Sequence, residues 1–240
     1  MSNEENKLEI IKLFNKMNEE LTSEQVNNFI KYMELLIEWN TKINLTAITE
    51  PDEIILKHFV DSATINKYIP ENAKVLDIGT GAGFPGIPEK ILRTDITVVL
   101  ADSLNKRINF LKEVISQLKL QNITAEHGRA EDLAQQKNYR EQFDVVVSRA
   151  VASLNVLLEY MLPFVKKGGI CICMKGSNIE EEIENSKNAL KELGGEIVKI
   201  DKFNLVETDI LRNIIIIRKV KDTSKQYPRK AGIPTKNPII

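Results

Sequence analysis

The sequence predicts an α/β fold: a mostly parallel sheet of seven strands, an antiparallel C-terminal hairpin and an N-terminal helical cap. Three observations carry that prediction. From Ala73 onward, short apolar runs alternate with helical stretches, the pattern of strands buried on both faces of a parallel sheet. The first of these runs, Val75, Leu76 and Ile78, breaks off into Gly79, Gly81 and Gly83, a strand entering a glycine turn ahead of a helix. The last two runs are joined by a connection too short to hold a helix, so they pair antiparallel.

Taken in order, residues 4–20 read as a helix with Leu8, Ile11 and Phe14 on one face. A second helix starts at the capping box Thr22-x-x-Gln25 and carries Val26, Phe29, Ile30, Met33 and Ile37 at helical spacing, closing at Trp39-Asn40. Residues 42–49 are a turn or short extended piece. Pro51 suits the first position of a third helix, which runs to about Tyr68 with His58, Phe59 and Ile65. Strands follow at 74–79, 96–101, 123–127 and 143–148, with helices near 85–93, 104–119 and 153–165 and a polar loop at 135–142. Lys167-Gly168-Gly169 turns into a strand at 170–174, and a helix over 178–193 ends at Gly194-Gly195. Strands 196–203 and 212–219 form the hairpin. Three units result: a cap over 1–72, a cofactor-binding domain over 73–220 and a basic tail over 221–240.

At 240 residues, 42% hydrophobic and 28% charged, the chain has the composition of an ordinary globular protein with a sizeable core. Its longest apolar runs, such as Ile214 to Ile217, are too short to span a bilayer, and no signal peptide or membrane segment is expected. Cys171 and Cys173, two apart on a strand, share one face, which suits two buried thiols in a reduced compartment rather than a disulfide or a metal site. The net charge of -1 conceals an asymmetry. Residues 1–60 hold 11 acidic and 6 basic side chains, whereas residues 218–240 hold 7 basic ones against Asp222 alone. A tail so charged, with Tyr227 and Pro228 in it, reads as a phosphate-contacting arm; the alternative is a solvated terminus.

The glycine turn is the chemical centre. Gly81-x-Gly83-x-x-Gly86 fits a dinucleotide fingerprint, a weak signal when it stands alone. Gly79-x-Gly81-x-Gly83 with Asp77 upstream instead resembles motif I of S-adenosylmethionine-dependent methyltransferases, whose cationic cofactor suits an Asp at the strand end. Pro85 and Pro88 crowd the helix start and favour the second reading. The other strand ends supply more polar groups. Asp102 and Ser103 stand where ribose hydroxyls bind, Ala130 and Glu131 where an adenine edge is read, and Arg149 and Lys175 where cations need an anionic substrate beside them. A polynucleotide provides that anion; ion pairs with nearby carboxylates are the alternative.

Absences narrow the acceptor. The fourth strand lacks the Asn/Asp-Pro-Pro-aromatic sequence used on exocyclic amines, and no cysteine there serves as a covalent nucleophile. His58 and His127 stand isolated. An acceptor with a free lone pair, such as guanine N7, needs no base, because orientation alone lowers a barrier by ~7–11 kcal/mol.

Asn44-Leu45-Thr46-Ala47-Ile48, His58-Phe59-Val60-Asp61-Ser62, the run from Val75 to Pro88, Asp102-Ser103-Leu104 with Lys106-Arg107 and Phe110-Leu111, Ser148-Arg149-Ala150 and Lys175-Gly176 together resemble the glucose-inhibited division protein B family. The resemblance covers nearly the whole chain, and Tyr227-Pro228-Arg229-Lys230 is similar to the tail of the family's Gram-positive branch. It implies a cytoplasmic enzyme that methylates guanine N7 in the 530 loop of 16S rRNA, using S-adenosylmethionine. It also implies that Gly79, Phe84, Ala130, Glu131 and Arg149 bind the cofactor, with Asp102, Ser103 and Leu104 near its ribose. Beside these stand Asp77, Gly81 and Gly83 of the glycine turn, and Arg149, Lys175, Arg229 and Lys230 as RNA contacts. His58 and Asp61 enter as site-facing candidates through the family motif. The partner is 16S rRNA or the small ribosomal subunit, and a monomer without metal is expected. Glu89, where an apolar residue is expected, reads as a solvated helix position, and Ala231 and Ile233 depart from the family's usual Pro and Thr.

Overall fold

A computed structural model describes residues 2–149, 152–177 and 179–240; Ala150 of the Ser148-Arg149-Ala150 motif lies outside them. Helix α1 (Asn3–Lys16) is capped by Ser2, whose hydroxyl accepts from the Glu5 amide while Glu5 accepts from the Ser2 amide. Asn18, at φ 61°, ends it short of the expected boundary. Its buried face is also rotated from the expected stripe: Ile10, Leu13 and Phe14 are buried, whereas Leu8 is 66% and Ile11 38% exposed. Positions 10, 13 and 14 share one face at helical spacing, and Ile11 lies about 100° away from Ile10.

Helix α2 (Ser23–Asn40) has the predicted Thr22–Gln25 capping box, and Gln25 Nε2 also donates to the carbonyls of Ile91 and Leu92. The third predicted helix is really α3 (Pro51–Ile54), a π-helical stretch Ile55–Val60 and α4 (Asp61–Ala63), followed by a 3-10 turn. The π-helical stretch carries His58.

The chain then alternates through β1 (Lys74–Ile78), α5 (Gly86–Leu92), β2 (Thr97–Asp102), α6 (Asn105–Gln117), β3 (Ile123–His127), α7 (Ala130–Leu133), β4 (Phe143–Arg149), α8 (Leu154–Met161) and β5 (Val165–Lys175). Next come α9 (Glu180–Glu184), α10 (Lys187–Leu193), β6 (Gly195–Asn204), β7 (Leu211–Lys219) and a last turn of helix, α11 (Ile233–Lys236). Two expectations change. The Lys167-Gly168-Gly169 turn lies inside β5, where pairing with β4 jumps from Phe143↔Val165 to Val145↔Ile170. The single helix expected over 178–193 is split into α9 and α10 at Asn185-Ser186. Gly194 caps α10 at φ 84°, and a Cβ there would sit 2.4 Å from the Lys221 carbonyl oxygen.

Among the described residues the sheet has seven strands in the order β3-β2-β1-β4-β5-β7-β6. The first five are parallel, and β7 runs antiparallel to both β5 and β6. Strand alternation divides the core in two. Val75, Val145, Val147, Ile172 and Ile216 pack with α5, α6 and the N-terminal helices. Leu76, Val146, Cys171, Cys173, Ile215 and Ile217 pack with α8 and α10. Both thiols are fully buried on one face.

Candidate active site

The carboxyl ends of β1 to β4 open onto a cavity of about 670 Å³. Its floor is the loop after β1, where Gly79 and Gly81 take φ of 67° and 63°, a region costly for any residue with a Cβ. Gly83, at φ 101°, does not line the cavity; a Cβ on it would lie 2.7 Å from the Tyr32 hydroxyl and 2.5 Å from Ile87. Its small size lets the cap approach the loop. Tyr32 does so, donating from its hydroxyl to the Ala82 carbonyl at 2.5 Å.

Asp77 is placed differently from the expected cofactor contact. It is fully buried and does not line the cavity. Its Oδ2 accepts from the Thr80 hydroxyl at 2.7 Å and the Gly86 amide at 2.8 Å, bracing the glycine loop against the start of α5. Burial pushes its carboxyl up to about 6 against those two hydrogen bonds.

Asp102 does line the cavity, together with Ser103. Its Oδ2 accepts from the Gly81 amide at 3.0 Å and from Arg107 at 3.1 Å, and its Oδ1 accepts from the Leu104 amide at 2.9 Å. The end of β2 is thereby stapled to the glycine loop. Leu104 itself lies outside the lining, with a side chain 42% exposed. Beyond β3, Gly128, Arg129, Ala130 and Glu131 complete that side.

The opposite end is built by β4 and the cap. Arg149 lies over the Phe84 ring at 5.0 Å and donates to the Lys57 carbonyl at 3.0 Å and to Asp61 at 3.3 Å. Asp61 is also held by Arg212 at 2.8 Å. His58 stacks on Phe84 with ring centroids 4.3 Å apart, and its Nδ1 lies 3.0 Å from Arg149 Nη2. A guanidinium only donates, so Nδ1 is the acceptor and the ring proton sits on Nε2, which meets Thr46 Oγ1 at 2.9 Å. Burial and the adjacent Arg149 charge push His58 down to about 3, so it is neutral at physiological pH. An aromatic chain, Phe14–Phe29–Phe59–Tyr32–Phe84, runs from α1 to this end of the cavity.

Of the sequence candidates, the cavity gathers Gly79, Gly81, Phe84, Asp102, Ser103, Ala130, Glu131, Arg149 and His58. Three RNA candidates are placed apart from it. Lys175 is only 8% exposed, donating to the Ala152 carbonyl at 2.5 Å and pairing with Glu182 at 2.7 Å. Arg229 is clamped by the buried Glu159, with its Nη2 2.7 Å from Oε2. Lys230 is exposed on the tail outside the lining. Arg149 and Lys175 both form the ion pairs weighed as the alternative, with Asp61 and Glu182, and Arg229 is paired with Glu159 rather than sitting on a solvated terminus.

Glu89 is the plainest misreading. It is 1% exposed, and neither of its oxygens has a hydrogen-bond partner among the described residues. Burial pushes its carboxyl well above the usual range. Thr80 and Arg107 lie within motifs of the family resemblance and Gly128 and Arg129 at the end of the third strand, but none of them, nor Tyr160, Gly232 and Thr235, was assigned to the site, and all line it. Thr46 had a signal, since it stands within the Asn44–Ile48 motif; Tyr160 and Thr235 had none.

No described helix is long and apolar enough to cross a membrane. The family described as rRNA small subunit methyltransferase G matches residues 25–211. Relatives called ribosomal RNA small subunit methyltransferase G are similar over most of the chain. That of Alkaliphilus oremlandii is 52% identical over 225 residues, covering 93% of this chain and 94% of the relative. That of Desulforamulus reducens is 56% identical over 222 residues, covering 92% of each. Among solved structures, M. jannaschii TYW2 in complex with AdoMet has a TM-score of 0.53 at 18% identity over 66% of this chain and 73% of that one. A Geobacter metallireducens precorrin-6y C5,15-methyltransferase has a TM-score of 0.51 at 13% identity over 74% of this chain and 91% of that one. The fold is that of the class I methyltransferases, and the chain belongs to the GidB family of rRNA small subunit methyltransferases G.

Proposed function

We propose that this protein transfers the methyl group of S-adenosylmethionine to N7 of a guanine in the 530 loop of 16S rRNA. The observation that carries the reading is the state of the groups around Arg149. His58 is neutral, and its only ring lone pair accepts from Arg149. Asp61 is engaged by Arg149 and Arg212. Among the described residues, no base at that end is free to take a proton, and an acceptor that uses its own lone pair and loses no proton suits such a site. Guanine N7 is an acceptor of that kind.

The residues lining the cavity fit the cofactor. Gly79 and Gly81 allow close approach of backbone, and the acidic Asp102 and Glu131 provide acceptors for ribose hydroxyls and an adenine amino group. When bound, the cofactor supplies an electrophilic methyl on a sulfonium. The chain's own contribution is placement: Phe84, with the hydrogen-bonded His58 and Arg149 against its ring, fixes one end of the cavity, while Asp102 fixes the glycine loop. Exposed Arg129 and Lys230 are the cations best disposed to meet RNA phosphate. On this reading residues 1–72 act as a cap, 73–220 as the cofactor domain and 221–240 as a closing segment, and the protein works as a cytoplasmic monomer.

The test is transfer of labelled methyl to small ribosomal subunits from a strain lacking the protein, mapped by reverse transcription. Label at one guanine of the 530 loop, cleavable by N7 chemistry, is the expected result. Binding of S-adenosylmethionine without label on subunits, free rRNA or precursors would overturn the substrate assignment and leave the cofactor assignment standing.

A further inference from the structure

The basic tail does not trail into solvent. After β7 it returns across the molecule, and two of its residues, Gly232 and Thr235, line the same cavity as Asp102 and Glu131. The Gly232 amide donates to Glu131 Oε1 at 3.2 Å, and the Thr235 hydroxyl lies 3.0 Å from the hydroxyl of Tyr160, which also lines the cavity. Anchors hold this stretch from both sides. Arg140 donates to the carbonyls of Thr223, Ser224 and Tyr227 at 2.7, 3.1 and 2.8 Å. Gln135 donates to the Pro228 carbonyl at 3.1 Å. Arg229 binds Glu159 through its backbone amide, Nε and Nη2 at 2.7, 3.0 and 2.7 Å. Further on, Asn155 donates to the Ile239 carbonyl at 3.3 Å.

The position of this stretch is specific. Its anchors come from the segment after β3 and from α8, and the Gly232 contact places it over the cavity on the Glu131 side. In the sheet order β3 is the edge strand beyond β2. A nucleoside whose ribose sits at Asp102 therefore extends its base toward Glu131. Glu159, 1% exposed, would lose its guanidinium partner if the tail lifted away, and an unpaired buried carboxylate is unfavourable. The tail is thus held shut by the same charges that sequence reading would assign to RNA.

We propose that residues 227–235 are a wall of the cofactor site that encloses the adenine, with Glu131 shared between the Gly232 amide on Oε1 and the adenine amino group on Oε2. The proposal rests on the S-adenosylmethionine reading above. Arg229 is on this account a positioning residue, acting through Glu159 and the strap rather than by touching the cofactor.

Two measurements on the full-length chain test it. The first is calorimetric titration with S-adenosylhomocysteine and with 5′-methylthioadenosine, which shares the adenosine but lacks the amino-acid part. Arg229→Gln should weaken both ligands by a similar factor, about tenfold or more, and Arg229→Lys should recover part of the loss. Unchanged affinity in Arg229→Gln, whatever its melting temperature, would overturn the proposal, as would weakening of S-adenosylhomocysteine alone. The second needs no variant. Trypsin cleavage after Arg229 and Lys230 should slow at least severalfold in saturating S-adenosylhomocysteine, with cleavage in α1 unaffected, and an unaltered tail cleavage rate would refute the wall. Failure of S-adenosylhomocysteine to bind the unaltered chain at all would instead remove the cofactor reading on which the proposal stands.

Discussion

The cavity has two kinds of wall. One is made by strand ends and the loop after β1, where Gly79, Gly81, Asp102 and Glu131 lie within a few residues of the strand that delivers them. The other is brought from far along the chain: Thr46 and His58 from the cap, Gly232 and Thr235 from the tail. The first wall is set by local backbone geometry, the second by packing of helices and by ion pairs. The contrast teaches that the carboxyl ends of the strands furnish the floor of the cavity locally, while its cap and tail sides depend on tertiary packing.

Removing the brace of the first wall should have the largest effect. Asp77→Ala leaves the Thr80 hydroxyl and the Gly86 amide without their buried acceptor. A loss of roughly 2–5 kcal/mol in denaturant unfolding is expected, together with loss of S-adenosylhomocysteine binding. If the fold and binding survive, the first wall does not depend on its brace.

Arg149 stands where the two walls meet. Arg149→Met removes the donor to His58, Asp61 and the Lys57 carbonyl together. Methyl transfer should fall on the order of 10²-fold through misplacement. Cofactor affinity should change less, since Asp102 and Glu131 are at the other end. Equal losses in both would merge the two walls into one.

Glu89, on α5, sharpens the contrast with Asp77, whose Oδ2 accepts from the start of that helix: both carboxylates are buried, and among the described residues only Asp77 has hydrogen-bond partners. Glu89→Gln or Glu89→Leu should stabilise the protein at neutral pH by ~1–3 kcal/mol. The sign follows from the raised pKa: folding of the natural chain is unpenalised below about pH 4.3 and loses stability as pH rises toward the folded value. The variant's advantage should therefore grow with pH, and a constant difference in melting temperature between pH 4 and 8 would contradict it. Glu19 and Arg93 are the charges that act on it, Glu19 opposing ionisation and Arg93 favouring it.

At neutral pH the smallest effect belongs to His58. Its folded value of about 3 lies below the ordinary imidazole value near 6.5, so its contribution is present above pH 6.5 and is lost as pH falls toward 3. His58→Gln should cost about 0.5–1.5 kcal/mol at pH 7 and flatten the acid limb of the stability profile. An acid limb of unchanged slope would mean that His58 charges freely in the fold.

These differences follow what could be read from residues alone. The strand order's local ingredients, the glycine loop and the acidic strand ends were legible because each depends on neighbours in sequence. Glu89 was not, because α5 lies between the sheet and the cap, so that Gly86, Ile87, Pro88, Glu89, Lys90 and Ile91 are all buried. A helix covered on both sides has no solvated stripe to find. Lys90 meets the same burial by donating to the carbonyls of Thr94 and Ile96; Glu89 has no such outlet. Arg229 meets Glu159, a helix residue far back in the chain, which no local pattern announces, whereas Lys175 meets Glu182 on the short helix that follows its own strand, a return hidden by reading 178–193 as one helix.

The return of the tail to the cavity has a temporal consequence. Translation delivers the floor early, the Arg149 strand next, and Gly232 and Thr235 only after all seven strands. A nascent or prematurely terminated chain can hold a folded sheet while one side of its binding site is still open. Completion of the site is in this sense a report that the chain has been made through residue 235.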